Sequence, residues 1–227
     1  PLLVFPVHES EEEACKAELL APAALSEVLA GALPVEDLKH KPGESALVYL
    51  NEGGGLRRVL LLGAGKRSVF DLEAVRRFAG HAVRAAESVE VLGLTTYLGS
   101  GVSADAAQAA TEGAVLAAWR FTEMKNPDES DAPIDVSDFE LMVDSADLDA
   151  GESGVRAGDV VGRAANFART LQSRPGNVAT PSHLADEASR MADEHGLDVT
   201  VMGPEELEGE RMHALLAVAQ GSDEEPR

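Results

Sequence analysis

Cysteine is nearly missing from this 227-residue chain: Cys15 stands alone, so no intramolecular disulfide can form, and a reducing compartment is the natural inference. Its acidic neighbours Glu11, Glu12, Glu13 and Glu18 disfavour the thiolate, which argues against a reactive role. Long apolar runs are missing too. No stretch approaches the ~20 residues of a membrane-spanning helix. The opening Pro1-Leu2-Leu3-Val4-Phe5-Pro6 has neither the basic start nor the apolar centre of a secretion signal, and reads as an edge strand on which Pro6 is tolerable. Aromatic content is 4 %, and lysine is so scarce that arginine supplies most of the positive charge.

Positive charge is itself in short supply. Against 40 acidic residues stand 19 basic ones, a formal charge of -21. Such a chain repels a phosphate backbone and an anionic bilayer alike, so neither nucleic acid nor membrane is expected as a partner. The surface fits a protein kept soluble in concentrated salt, where screening removes most of the self-repulsion; an ordinary acidic cytosolic protein is the alternative.

Recognisable catalytic spacing is also lacking. The six histidines (His8, His40, His81, His183, His195, His213) show no metal-binding pattern, and His183 and His195 lie too far apart on one predicted helix to share an ion. No nucleophile elbow occurs, and no catalytic pair stands out among forty carboxylates. No catalytic, cofactor-binding or metal-ligating residue is therefore assigned.

What is present reads as α/β. Glu9 to Leu20 and Pro22 to Leu33 have wholly or partly helical patterns, the second closed by Gly31 and Pro34. Ala46 to Leu50 is a strand, Asn51 to Gly55 a hairpin-like connection, and Val59 to Leu62 an apolar run of the kind buried on both faces. Asp71 caps a helix whose apolar face is Leu72, Val75, Phe78, Ala82 and Ala85, and Val89 to Leu94 is the next strand: a βαβ unit with a right-handed crossover. Ser103 to Thr122 is a helix of small apolar residues suited to close packing. From Asp128 to Asp159 eleven acidic residues meet one basic residue, Arg156. Only Phe139 to Val143 reads as a strand there, and Asp144 to Ser153 as a solvated loop marking a domain boundary. A long helix follows with Ala157, Val160, Val161, Ala164, Ala168 and Leu171 on one face.

Two glycine-rich turns invite a phosphate reading. Gly63-Ala64-Gly65-Lys66 follows a strand and Gly99-Ser100-Gly101 precedes a helix, where loops of this kind cradle anions. The third glycine of the dinucleotide fingerprint is missing, and Leu60 stands where the Walker spacing needs its first glycine. A turn needing positive φ is the favoured reading for both.

The most informative stretch lies late. Ala168-Arg169-Thr170-Leu171 leads into Ser173-Arg174-Pro175-Gly176-Asn177, then Thr180-Pro181 opens a helix as N-cap and N1. Gly196 stops that helix, Leu197 to Val201 alternates as a strand, and Leu215-Leu216-Ala217-Val218-Ala219-Gln220-Gly221-Ser222 closes the pattern. This series resembles the cytosol (leucine) aminopeptidase family, with two departures: Ser173 where an Asn is usual, and Gly176 for a second Pro or small residue.

The resemblance implies a small macrodomain-like α/β domain with a mixed, partly parallel sheet over residues 1–150, then a linker helix and the incomplete start of a catalytic domain over 151–227. It also implies a parent that removes N-terminal, preferably Leu-like, residues from peptides. Two divalent ions, zinc or manganese, would activate a bridging water there and polarise the scissile carbonyl. The family's ligands, a Lys with several Asp and Glu, would lie beyond Arg227, so this chain alone is expected to be inactive and metal-free. A cytoplasmic location and a homohexamer are implied as well. The alternative is a macrodomain-like or Rossmann-like nucleotide-binding module that uses the two glycine turns.

Overall fold

The structure, a computed structural model, describes residues 2–10, 17–32, 39–52, 55–125 and 135–227. Cys15, Leu33, Pro34, Gly53, Gly54 and the acidic residues from Asp128 to Asp131 lie outside the described residues. The chain divides into two compact units, Pro1–Asn166 and Phe167–Arg227.

The first unit is built on β1 (Leu2–Glu9), β2 (Ala17–Leu19), α1 (Ala23–Ala32), β3 (Ser45–Glu52), β4 (Gly55–Lys66), α2 (Leu72–Ser88), β5 (Gly93–Tyr97), α3 (Ala104–Ala118), β6 (Asp138–Met142) and α4 (Leu148–Ser173), the last helix running on into the second unit. The sheet order is β3-β4-β1-β5-β6, with β2 added to β1. β4, β1, β5 and β6 are mutually parallel, while β3 joins β4 and β2 joins β1 antiparallel. The mixed, partly parallel α/β sheet expected from the sequence is present.

β1 is a central strand, not an edge. Pairing with β5 stops at Val4↔Thr96, so Pro6 falls past that ladder, and its carbonyl accepts from the Leu20 N–H on the side its own N–H would have faced. The missing donor therefore breaks no pair. Alternation then divides the core between the two faces. Leu2 and Val4 pack with Leu60, Leu62, Phe78 and Leu94 on one side, while Leu3, Phe5 and Val7 pack with Val59, Leu61, Leu29 and Tyr97 on the other. Each such buried side chain contributes roughly 1.5–3 kcal/mol. Ala17–Leu19 is strand where the sequence reads as helix, because its residues complete the β1 edge that β5 leaves open.

Asp71 caps α2 as expected, its Oδ1 accepting from the Ala74 N–H at 2.9 Å. The buried face is Val75, Phe78, Ala79, Ala82, Val83 and Ala86, rotated from the one expected, and Leu72 is exposed. The helix runs to Ser88, and Glu90 takes φ 55° in the link to β5. That link delays the strand to Gly93, four residues later than the sequence suggests. Ser103 caps α3. α2 and α3 approach so closely that a Cβ on Gly113 would lie 2.0 Å from the Arg76 carbonyl oxygen.

α4 corrects two expectations. It starts at Leu148, so most of the stretch from Asp144 to Ser153 is a 3-10 turn and helix, not a solvated loop. Its buried face is a line of glycines, Gly151, Gly154, Gly158 and Gly162, and not the line through Val160. A Cβ at Gly154 would sit 2.2 Å from the Ala104 carbonyl oxygen, and one at Gly158 2.6 Å from that of Gln108. The helix lies on α3 backbone to backbone, and only glycine permits this spacing. Ala157, Val160, Val161, Ala164 and Ala168 face outward.

The second unit carries α5 (Pro181–His195), α6 (Pro204–Gly209) and α7 (His213–Ala219). Thr180 caps α5 by accepting from the His183 N–H at 3.2 Å, Pro181 opens it, and Gly196 closes it at φ 65°. Leu197 to Val201 pairs with no strand among the described residues, although its sequence alternates. A strand needs a neighbour to satisfy its backbone.

Candidate functional site

The two glycine turns can be judged by where their N–H groups go. Val7 faces Gly63 and His8 faces Gly65, so Ala64 is an extra residue and β4 bulges there. Gly65 takes φ 76°, a conformation that favours glycine, and a Cβ at Gly63 would meet the Lys41 carbonyl oxygen at 2.1 Å. The Gly63 N–H donates to the Glu44 carbonyl at 2.8 Å and the Gly65 N–H to that of His40 at 2.7 Å. These donors are spent on the chain itself, leaving neither glycine N–H free to hold a phosphate.

The second turn has an anion, but it is internal. Asp147 Oδ2 accepts from the Gly101 N–H at 2.7 Å and from the Val102 N–H at 3.1 Å. The carboxylate from the start of α4 thus occupies the nest in front of α3. Sequence spacing could not reveal this, because 45 and 46 residues separate the partners.

Two polar clusters are built into the first unit. His8 is 2 % exposed, with its Nδ1 3.2 Å from the Gly65 carbonyl oxygen and its ring edge-on to Phe70. Burial lowers its pKa, with Arg67 adding to that effect and the Gly65 carbonyl and Glu18 opposing it. Between α2 and α3, Arg76 donates to Glu112 Oε2 from Nε at 2.8 Å and from a terminal nitrogen at 2.6 Å, while Gln108 donates to Oε1 at 2.8 Å. Burial works against the Glu112 charge, but the hydrogen bonds from Gln108 and Arg76 outweigh it and hold its pKa below the usual carboxylate range. Each cluster fastens elements together, and the second lines a small cavity of ≈ 110 Å³ with Leu72 and Asp105.

In the second unit, the Pro175–Pro181 connection brings Arg174 against α5. An Arg174 terminal nitrogen lies 2.7 Å from His183 Nε2 and 3.7 Å from Glu187 Oε1, and Arg190 pairs with Glu187 at 2.5 Å. Beside this network is an apolar groove of ≈ 810 Å³, lined by Leu184, Val199, Val201, Met212, Leu215 and Val218 among others. Val218 is 84 % exposed. Of the other histidines, His40 and His81 belong to the first unit, His195 ends α5 and His213 begins α7; no three His, Cys, Asp or Glu side chains among the described residues could hold a metal ion. A metal centre of the kind the resemblance implies does not fit these residues. No helix among the described residues is long and apolar enough to cross a membrane.

Comparison with known proteins agrees with the late motif and with the fold. The sequence model of the cytosol aminopeptidase family's N-terminal domain matches residues 4–128, and that of its catalytic domain matches 166–227. A probable cytosol aminopeptidase of Acidobacterium capsulatum is 34 % identical over 207 residues, covering 90 % of this chain and 40 % of the relative. One from Solibacter usitatus is 35 % identical over 226 residues, covering 99 % and 43 %. Among solved structures, the bottromycin maturation enzyme BotP superposes with a TM-score of 0.70 at 26 % identity, covering 99 % of this chain and 44 % of BotP. The chain spans about two fifths of the length of the curated relatives it matches. With the N-terminal domain match alone spanning more than half of the residues and the catalytic match following in order, this chain belongs to the cytosol aminopeptidase family.

Proposed function

We propose that this chain serves a metal-dependent aminopeptidase that removes N-terminal, preferably Leu-like, residues from peptides in the cytoplasm as a homo-oligomer. Residues 1–150 would be its N-terminal domain, and residues 151–227 the linker helix and the opening of its catalytic domain. The observation that carries this reading is the order of the two family matches, N-terminal over 4–128 and catalytic over 166–227, in a chain about two fifths as long as its relatives.

In this reading the chain would have a scaffolding part in that activity, and the chemistry would come from the rest of the catalytic domain. No set of three or more His, Cys, Asp or Glu side chains converges among the described residues to hold a metal ion. What the second unit offers instead is the apolar groove bordered by the unpaired segment Leu197 to Val201, a surface suited to further catalytic-domain strands. BotP, matched at 25 % identity, has been solved with Mn; two zinc or manganese ions are proposed for the whole enzyme here.

Calorimetric titration of Zn²⁺ and Mn²⁺ into the 227-residue chain, together with a leucyl anilide assay, tests the reading. Neither tight binding nor turnover is expected from this chain, and both from a chain that carries the remaining catalytic-domain sequence, as the curated relatives do. Stoichiometric submicromolar binding with turnover by the 227 residues would overturn the division of labour. An inert longer chain would overturn the peptidase reading itself.

A further inference from the structure

Three of the chain's five lysines, Lys39, Lys41 and Lys66, come together in the first unit from two separate segments. Lys39 and Lys41 flank His40, whose carbonyl accepts the Gly65 N–H at 2.7 Å, and Lys66 follows Gly65 directly. The Glu44 carbonyl accepts the Gly63 N–H at 2.8 Å, so residues 40–44 lie along the β4 bulge. The His81 ring of α2 borders the same segment, since a Cβ on Gly43 would lie 3.4 Å from its Cε1. All three lysines are exposed, and none of their side chains makes a hydrogen bond or ion pair among the described residues. Arg67 adds a fourth charge, with only a 4.0 Å contact to Glu18. Glu9, Glu18 and Glu44 belong to the adjoining segments, yet none of them pairs with these lysines. In a chain with 40 acidic and 19 basic residues, cations without a carboxylate partner are the anomaly, and here three stand together.

The topology marks the same place. β1 and β4 are neighbouring parallel strands that end together, Glu9 facing Lys66. α1, which follows β1, packs Leu29 with Phe5 and Leu61, whereas α2, which follows β4, packs Phe78 and Ala82 with Val4 and Leu60 on the other face. The chain therefore leaves adjacent strands toward opposite faces, and in open α/β sheets the carboxyl ends of such a pair border the crevice in which ligands bind. We propose that the lysine group outside the ends of β1 and β4 holds the diphosphate group of a small anion. Lysine binds phosphate as a compact point charge on a flexible stem, whereas the forked grip on a planar carboxylate belongs to arginine, the commoner cation of this chain. Several ammonium groups from two segments suit an anion with more than one charged group, which favours a diphosphate over a single carboxylate. The glycine N–H groups take no part, being spent on the chain itself. At 0.1 M salt, charges beyond about 10 Å are largely screened, so these lysines and not the total charge of -21 set the local attraction. The site lies wholly in the first unit and stands apart from the peptidase reading.

Calorimetric titration of pyrophosphate and of ADP into the 227-residue chain, at 0.1 M and 1 M KCl without divalent ions, is the test. Both are expected to bind at one site, with dissociation constants below about 1 mM at 0.1 M KCl and within about threefold of each other, because the diphosphate is the group held. Screening at 1 M KCl should weaken binding about tenfold or more. Lys41→Ala and Lys66→Ala should each weaken it about threefold to tenfold, and the triple change Lys39→Ala/Lys41→Ala/Lys66→Ala should abolish it. Lys125→Ala removes the same charge from an equally unpaired lysine after α3 and should leave binding unchanged. All four lysines are exposed, so unchanged melting curves serve as the folding control. No binding at 0.1 M KCl would overturn the proposal. So would a triple variant that binds like the wild type, a loss in Lys125→Ala equal to that in Lys66→Ala, or ADP binding without pyrophosphate binding.

Discussion

Asp147 reaches across 46 residues to accept the Gly101 N–H at 2.7 Å, and the same oxygen takes the Val102 N–H. One carboxylate thereby fastens the turn before α4 to the loop before α3, and it fills an anion nest that would otherwise be open. Asp147→Ala should cost about 1.5–3 kcal/mol, the range for hydrogen bonds to a charged group. Asp147→Asn keeps an acceptor oxygen and should lose less. Urea denaturation of the three proteins checks the order; equal midpoints for wild type and Asp147→Ala would show that the clasp contributes nothing.

Gly158 tests the α3–α4 contact. A methyl group there would lie 2.6 Å from the Gln108 carbonyl oxygen and 2.7 Å from Thr111 Cβ, and neither neighbour is the end of a flexible side chain. In an open helix Gly→Ala stabilises by about 1 kcal/mol. Here overpacking should reverse the sign, with Gly158→Ala destabilising by about 1–3 kcal/mol. Gly176 is the comparison site: a methyl group added there would meet nothing within 4 Å, and Gly176→Ala should stay within about 0.5 kcal/mol of wild type. Thermal melts of both variants decide the matter.

The sequence was legible where a local rule settles the outcome. Asp71, Thr180 and Gly196 are caps readable from a few neighbouring residues, and the structure places all three at helix ends. The run Val59 to Leu62 is buried on both faces because β4 lies inside the sheet, between β1 and β3, with core side chains on either side. The misreadings share one cause, a partner distant in sequence. Val160 and Val161 look like a core face until α3 is seen to want a surface with no side chains at all. Pro6 suggests an edge until β5 is seen to stop at Thr96. Leu197 to Val201 has strand alternation without a strand beside it among the described residues. Of the site, sequence reading found the family motif around Pro175–Pro181 and raised the glycine turns. It had no signal for the carboxylate of Asp147 or the backbone carbonyls of His40 and Glu44 that occupy those turns.

Glu112 makes stability respond to acid. Its pKa is lowered in the folded chain, so the stabilisation it supplies is complete above the unfolded-state value near 4.5 and is lost as pH falls through the lower folded value. Glu112→Gln should flatten that part of the profile. At neutral pH it should cost about 2–3 kcal/mol, because Arg76 loses its charged acceptor between α2 and α3. Stability measured from pH 7 to pH 3 in both proteins checks this, and parallel profiles would mean the pair is inert.

His8 acts with the same overall sign through the opposite chemistry. Burial lowers its pKa below 6.5, so the unfolded chain takes up the proton first. The contribution of neutral His8 is therefore full above about pH 6.5 and declines as pH falls towards the folded value, below which the loss levels off. This decline begins near pH 6.5, above the onset near 4.5 for Glu112, which separates the two. Phe70 stacks edge-on against the ring, and the Gly65 carbonyl holds Nδ1 at the β4 bulge. His8→Asn should lower stability at pH 8 by about 1–3 kcal/mol through lost packing, yet remove the decline that sets in below pH 6.5. A variant that keeps the wild-type slope there would assign the titration to another group.

Salt should act on the molecule as a whole. With 40 acidic and 19 basic residues, exposed carboxylates stand close together without enough cations between them. Their repulsion is felt by the compact state more than by an expanded one, and it reaches over about 10 Å at 0.1 M salt but only about 3 Å at 1 M. Raising KCl from 0.1 M to 2 M should therefore raise the melting temperature by several degrees, on the order of 1–2 kcal/mol of stability. Surface ion pairs such as Arg163–Asp159 weaken over the same range, but exposed pairs contribute little and cannot reverse the trend. Sodium sulfate would confuse the reading, since it strengthens apolar burial on its own account. KCl is the cleaner salt, and a melting temperature that stays flat or falls across the series would show that the charge excess does not govern this fold.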